Sequence, residues 1–465
     1  VSITLRSYQQ DLIDRTRAAL IAGAKSVLIQ APTGAGKTAL TAAMLGAARA
    51  KGKRAWFIVH RRELVKQSVE AFRMAGVPCG IVAAGFKMDA RQQIQICSIQ
   101  TLARRTHLLM PPDMIVPDEA HHSVSKSWAT VLDQYPKARR IGLTATPERL
   151  DGRGLCDHFD EMIQGPAVRS LIDAGYLSDY RYYAPTMPDL EGVGTVAGDL
   201  NKGQLSAAMD TPTITGDAVD HYRRLAQGKR AVAFAVSREH SRHIVGQFLG
   251  AGVPAEHVDG ETKTEDRDAA IERFRTGKTL VLSNVDLFGE GFDLPAIEAA
   301  ILLRPTASLG LFLQQVGRAL RPSPGKSHAI ILDHAGNVTR HGLPDDPREW
   351  SLDSKPRSKC KAKPSLSVRL CPKCYGAMPP GRMSCAICGH TFAPTPRQVD
   401  EVEGELQEMS EADIQRMRRE KKREQGRAQT VEQLTKVGRD RGYKNPRRWA
   451  ENVMSGRMRR RGQAA

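Results

Sequence analysis

The sequence predicts an α/β protein of two tandem parallel-sheet lobes, followed by a small cysteine-rich module and a basic, mainly helical tail. Three observations carry this prediction. Short apolar runs alternate with helical patterns along most of the chain; the alternation is interrupted once and resumes; and it stops for good near residue 343, ahead of two closely spaced cysteine pairs. Apolar runs bounded by turn residues read as strands buried on both faces, and strands separated by amphipathic helices need crossover connections, which pair them in parallel.

In the first series SVLIQA (26–31), AWFIVH (55–60), IQICSI (94–99), DMIV (113–116) and RIGLTAT (140–146) read as strands, with amphipathic stretches such as 62–74 between them. A Gly- and Asp-rich stretch, 189–203, reads as a linker or loop. The second series is RAVAFAV (230–236), TLVLSNV (279–285), AAILLRP (299–305) and HAIILDH (328–334). The expected organisation is a first lobe over 1–186, a second over 187–345, a linker over 346–365, the cysteine module over 366–395 and the tail over 396–465.

At 465 residues the chain exceeds one ordinary core, and 41% hydrophobic residues suffice to fold most of it. The formal net charge is +18, and the stretch from Asp346 onward, with 27 Lys and Arg against 15 Asp and Glu, holds +12 of it. Such an excess points to a polyanionic partner, the alternative being a solvated tail. No apolar stretch approaches the roughly 18 residues that span a bilayer, so the expectation is a soluble, cytoplasmic protein without a membrane partner. Cys79, Cys97, Cys156 and Cys360 lack metal-site spacing and read as packed or surface thiols.

The strongest chemical signal is APTGAGKT (31–38), which follows the GxxxxGK[ST] pattern with Ala31 in the place of its first glycine and lies after a strand and before a helix. A turn of Thr33, Gly34, Ala35 and Gly36 brings backbone N–H groups, with that of Lys37, around phosphate oxygens at a helix N-terminus. Lys37 neutralises the terminal phosphates of ATP, and the Thr38 hydroxyl is a magnesium ligand. Asp118 and Glu119 follow the strand MIV. Beside a phosphate loop, such a pair supplies a carboxylate for magnesium, Asp118, and one that polarises the attacking water, Glu119. Pro117 stands where an apolar strand residue is usual, and because proline has no N–H to donate to a ladder it puts the placement of Asp118 in question. His121 either bridges to the second lobe or packs.

In order along the chain these segments resemble superfamily 2 helicases of the DEAD/DEAH class, over about residues 3–340. The resemblance implies two RecA-like lobes of the P-loop NTPase type. It makes LRSYQ (5–9) an adenine-sensing motif, with Arg6 and Gln9 on the base. VHRRELVKQ (59–67) and SIQTLAR (98–104) become the segments holding a nucleic-acid backbone, through Arg61, Arg62, Gln100 and Thr101. TAT (144–146) becomes the element coupling hydrolysis to strand movement. In the second lobe GEGFDLP (289–295) and QQVGRALRP (314–322) complete the site. Gly291 and Asp293 then sense the ribose, and Gln314, Arg318 and Arg321 face the nucleotide across the cleft.

Cys371 and Cys374, then Cys385 and Cys388, form two CxxC pairs ten residues apart. Two such turns present four thiolates tetrahedrally, a zinc-ribbon pattern; the rival redox reading needs a βαβ context that is lacking. His390 then falls outside a filled shell. The order of motor, ribbon and basic tail resembles bacterial and prophage-encoded helicases of the RadD repair type, to whose tails RGYKNPRRWAENVM (441–454) is similar. That resemblance implies single-stranded or branched DNA as the partner and a cytoplasmic, nucleoid-associated enzyme. It also implies that ribbon and tail grip DNA or a repair or replication protein. Tyr443 and Trp449 either stack on bases or pack. An RNA helicase, and a nucleic-acid remodelling protein with weak ATPase, are the alternatives.

Overall fold

The computed structural model describes residues 4–60, 62–123, 125–148, 154–185, 188, 190–196, 199–287, 297–353, 368–393, 411–441 and 445–462. They form two compact units, Val1–Pro394 and Thr395–Ala465.

Lobe one is a wholly parallel sheet. Its strands are β1 (Ser26–Gln30), β2 (Ala55–Val59), β3 (Gly80–Val82), β4 (Ile94–Ser98), β5 (Met114–Pro117), β6 (Arg139–Thr144) and β7 (Glu161–Gln164). The spatial order is β3-β4-β2-β5-β6-β1-β7. Strands β1, β2 and β4 are buried at every position, as continuous apolar strands covered on both faces must be. The helices Ser7–Ala22, Lys37–Ala50 and Arg62–Met74 cover one face through residues such as Leu12, Leu45 and Phe72.

Lobe two begins earlier than the pattern suggested. The strand β8 (Tyr180–Tyr183) pairs in parallel with a strand of the second sheet, so the lobe boundary expected at 186 is corrected to before Tyr180. The stretch 189–203 is not an interlobe linker either. It carries the hairpin β9 (Thr195–Val196) and β10 (Asp199–Leu200), and Asp199 Oδ1 accepts from the Ala307 N–H at 2.7 Å and from Thr306 Oγ1 at 3.0 Å. The remaining strands are β11 (Ala231–Phe234), β12 (Ala255–Val258), β13 (Val281–Asn284), β14 (Ala299–Leu302) and β15 (Ala329–Asp333), ordered β12-β13-β11-β14-β15-β8 and all parallel.

The cysteine module is a small hairpin, β16 (Arg369–Leu370) against β17 (Ala377–Met378). It lies on the free edge of β8 by an antiparallel bridge, Tyr183 to Gly376, and the Ala184 N–H donates to Tyr375 O at 2.9 Å. An open strand edge is thereby covered. The second unit contains the helices Glu411–Arg427, Val431–Asp440 and Pro446–Gly462. Thr430 and Gln433 form a capping box at the second helix, and Leu434 and Ala450 are its buried centre, with Trp449 packed against them.

Candidate active site in the interlobe cleft

β1 delivers the chain to its carboxyl end, where a tight turn precedes the helix Lys37–Ala50. Gly34 (φ 87°) and Gly36 (φ 74°) are both left-handed, a conformation open to glycine at no steric cost. Each is also crowded: a Cβ on Gly34 would stand 2.8 Å from Leu177 Cδ2, and one on Gly36 would stand 2.6 Å from Gln9 Nε2. Gln9 is 4% exposed and its amide is committed. Its Nε2 donates to Ala35 O (3.1 Å) and Gly36 O (3.3 Å), and its Oε1 accepts from Arg6 N–H (2.9 Å). Gln9 thus braces the loop from behind. The Arg6 guanidinium lies over the Tyr176 ring, 4.5 Å from its centroid, and donates to Tyr8 Oη, which donates to Ala35 O at 2.8 Å. Lys37 Nζ donates to Ala31 O at 3.2 Å.

Pro117 leaves Asp118 in place. Asp118 N–H still donates to Ile58 O of β2 at 2.9 Å. In a parallel ladder successive residues address opposite neighbours; position 117 therefore faces β6, past Ile115, where the β5–β6 register ends. The next residue, Glu119, is 8% exposed and adopts φ 48°, an uncommon state for a non-glycine residue and one that collects at functional sites. Its Oε2 lies 3.5 Å from His121 Nδ1, which also meets Thr144 Oγ1 at 3.1 Å. Of the two readings of His121, the contacts described are within lobe one.

The opposite wall comes from the helix Leu309–Ala319. Gly310 and Gly317, two turns apart on one face, let it approach lobe one: a Cβ on Gly310 would meet Thr146 Oγ1 at 2.8 Å, and one on Gly317 would meet Thr33 Cβ at 2.6 Å. Gln314 and Arg318 are buried. The carboxyl end of this helix is capped by Lys326, whose Nζ donates to the carbonyls of Ile297 (2.8 Å), Arg321 (2.8 Å) and Ala319. Burial pushes that ammonium down to about 8. Between the walls is a cavity of about 690 Å³ lined by Thr33, Gly34, Gly36, Lys37, Thr38, Asp118, Glu119, Arg318 and Arg321. Residues hundreds of positions apart thus face one nucleotide-sized space.

The family models agree with the two lobes. "Type III restriction enzyme, res subunit" matches residues 2–149, and "Helicase conserved C-terminal domain" matches 216–323. A 51.5 kDa protein of a Lactococcus phage (isolate 7-9) is 35% identical over 79% of this chain and 78% of its own length. The chain belongs to the superfamily 2 helicases. Enzymes of this family are ATP-dependent and act on nucleic acid. The helicase is also 31% identical, over 71% of its length, to the Saccharomyces cerevisiae protein named "Putative ATP-dependent helicase IRC3", of which it spans about half, 51%. Its lobes share the fold of a solved fragment of a type I restriction enzyme HsdR subunit from Vibrio vulnificus YJ016. The TM-score is 0.58 at 23% identity, over 76% of this chain and 67% of that one.

Other residues singled out in the helicase are placed as follows. Gln100 and Thr101 open the helix Ile99–Arg105 at the carboxyl end of β4, and Gln100 Nε2 donates to His60 O at 2.9 Å, joining the ends of β2 and β4. Arg61, the side chain of Arg62, Gly291, Asp293, Cys360 and Tyr443 lie outside the described residues. Trp449 packs beside Gly438, whose Cβ position is 3.2 Å from its ring.

The four module cysteines converge, with all sulfurs within 4.8 Å of one another. Cys371 and Cys388 are 3.7 Å apart, and Cys374 and Cys385 are 3.6 Å apart. A disulfide would need about 2.05 Å, whereas sulfurs bound at about 2.3 Å around a tetrahedral zinc stand about 3.8 Å from each other. The cluster fits a tetrahedral metal. His390 sits edge-on to Phe392 instead. The signal that sequence reading missed was structural: Leu177, Tyr176 and Lys326 carry no motif, and only the fold brings them to the phosphate loop and the arginine helix.

Proposed function

We propose that this helicase is a DNA-stimulated ATPase that moves along or unwinds DNA in repair, recombination or phage DNA metabolism, in the manner of RadD-type enzymes. The observation that carries it is the cavity shared by Lys37, Thr38, Asp118 and Glu119 of one lobe and Arg318 and Arg321 of the other. ATP seated on the amides of the phosphate loop is complete only when both walls meet, so binding favours closure and phosphate release favours opening. Glu119, held by strained backbone, orients the attacking water; Arg318 and Arg321 stabilise charge developing on the transferred phosphoryl group. The Thr38 hydroxyl and the Asp118 carboxylate are the hard oxygen donors that suit magnesium, which neutralises phosphate charge when bound.

DNA is favoured over RNA by the restriction-enzyme family model on lobe one and by the ribbon and basic tail. Zinc in the Cys371, Cys374, Cys385 and Cys388 cluster supplies folding energy to a module with little core of its own. The tail's Lys and Arg bind phosphates without reading sequence. A cytoplasmic, nucleoid-associated location follows from that partner. No helix among the described residues is long and apolar enough to cross a membrane.

The test is ATP turnover without nucleic acid and with single-stranded DNA, duplex DNA or RNA, followed by unwinding of forked and blunt duplexes. Stimulation by DNA supports the proposal. Stimulation by RNA alone replaces it with an RNA helicase, and no stimulation by any polymer rejects the motor reading.

A further inference from the structure

Among the described residues the chain crosses between the lobes twice. The first crossing leaves β7 and runs through the helix Val168–Asp173 to Ser178, whose N–H donates to Leu320 O at 2.8 Å and whose hydroxyl reaches Arg321 O at 3.3 Å. The second is the stretch 343–353, which leaves lobe two and returns to lobe one. There Leu352 O accepts the N–H of Leu155 (2.7 Å) and of Cys156 (3.1 Å). The Leu352 side chain packs on the buried cluster of Leu28, Ala120, Leu155 and Phe159, where Ala120 is the neighbour of Glu119.

The two crossings are tied to each other. Arg169 of the first donates to Asp345 of the second at 2.8 Å from Nε and 2.5 Å from one terminal nitrogen, and Tyr180 donates to the same carboxylate. Arg348 shapes the exit from lobe two by donating to the carbonyls of His341, Leu343, Pro344 and Asp346. Both crossings also line one small interlobe cavity of about 70 Å³, where Trp350 and Arg348 meet Val168, Leu177, Thr33 and Gly317.

We propose that the stretch 343–353 is a second interlobe hinge, and that Leu352 and Trp350 are positioning residues for the ATP cleft. The physical reason is geometric. One connecting strand lets the lobes twist as well as open, whereas two strands cross-linked side by side leave one bending axis. Closure along that axis returns the Gly310–Gly317 face to Thr146 and Thr33, and with it Arg318 and Arg321 to the phosphates. A misplacement of about 1 Å costs on the order of 100-fold in rate, so a freed strap should be felt in turnover before it is felt in ATP binding. This rests on the reading that the cleft hydrolyses ATP.

The experiment compares the full chain with Leu352→Asp, Trp350→Ala and the conservative Leu352→Met. Three readouts are taken: amide exchange at Leu155 and Cys156 without nucleotide, the interlobe distance distribution between non-cysteine spin labels at exposed Met110 and Leu249, and DNA-stimulated ATP turnover. Leu352→Asp should speed exchange at both amides at least tenfold and broaden the distance distribution. It should lower kcat at least fivefold with KM for ATP within twofold, and Leu352→Met should behave as the parent. Trp350→Ala should broaden the distribution and lower kcat in the same sense, which keeps the test decisive if the aspartate variant fails to fold. Faster exchange with an unchanged distance distribution and unchanged kcat would make the strap mere surface packing and overturn the hinge. If the parent itself shows no ATP turnover, the cleft reading fails, while exchange and distances still judge the hinge.

Discussion

Gly317 of lobe two lies against Thr33 of the phosphate loop with no room for a side chain, since a Cβ there would stand 2.6 Å from Thr33 Cβ and 2.8 Å from its Cγ2. The same residue sits inside a helix, where alanine is intrinsically better than glycine by about 0.5–1 kcal/mol. Gly317→Ala should therefore separate activity from stability. ATP turnover should fall at least tenfold because the cleft cannot close, while thermal stability holds or rises slightly. Unimpaired turnover in this variant would mean that the lobes do not close on this contact.

Lys37→Ala and Glu119→Gln test the chemistry itself. Both should abolish ATP turnover, the first by removing the ammonium that meets the terminal phosphates, the second by removing the carboxylate that polarises water. Glu119→Gln keeps the side-chain volume, so the protein should still bind nucleotide. Residual turnover within tenfold of the parent in either variant refutes the site assignment.

The cysteine cluster predicts one zinc per chain by elemental analysis. Because Ala184 N–H donates to Tyr375 O at the edge of β8, chelating the metal should expose that amide and speed its hydrogen exchange. Full protection after complete metal removal would show that the module holds its fold and its dock without metal.

Acid should weaken lobe two. Burial depresses the imidazoles of His240 and His341 to about 4 and that of His334 to about 3, against an ordinary value of 6.5. Between those values the unfolded chain binds protons that the folded lobe refuses, so this contribution is fully present above about pH 6.5 and is lost as pH falls toward 4. Each group should cost on the order of 2 kcal/mol between pH 7.5 and pH 5. Urea unfolding of the full chain at both values, with amide exchange in β14 and β15 as the lobe-two probe, checks this. Equal midpoints would contradict it.

What could be read directly were the strands buried on both faces. All nine apolar runs singled out are strands, because a central parallel strand must be apolar throughout. Among the described residues, the four strands of the two large sheets that went unread, β3, β7, β8 and β12, are the two edges of each of those sheets. An edge strand is covered on fewer sides, so EMIQ, YRYY and AEHV can carry charge and hydroxyls and show no continuous apolar run. Missing β8 is what put the lobe boundary too late, and it hid the dock for the cysteine module.

At the site the division is similar. The phosphate loop, the acidic pair, the arginine helix and the four cysteines are legible because their chemistry demands fixed residue types at fixed local spacing. Gln9 was legible as important, yet the structure commits its amide to the loop carbonyls. Pro117 read as a threat to Asp118, yet the Asp118 N–H still donates to Ile58 O, because residue 117 addresses the other neighbouring strand. The sequence alone determined a two-lobed P-loop enzyme with a four-thiolate module, since those properties live in local patterns. Only the tertiary structure decided that Gly317 meets Thr33, that β8 carries the cysteine hairpin and that Leu352 returns to lobe one. Contacts between distant segments depend on complementary shape, and shape leaves no periodic mark in the chain.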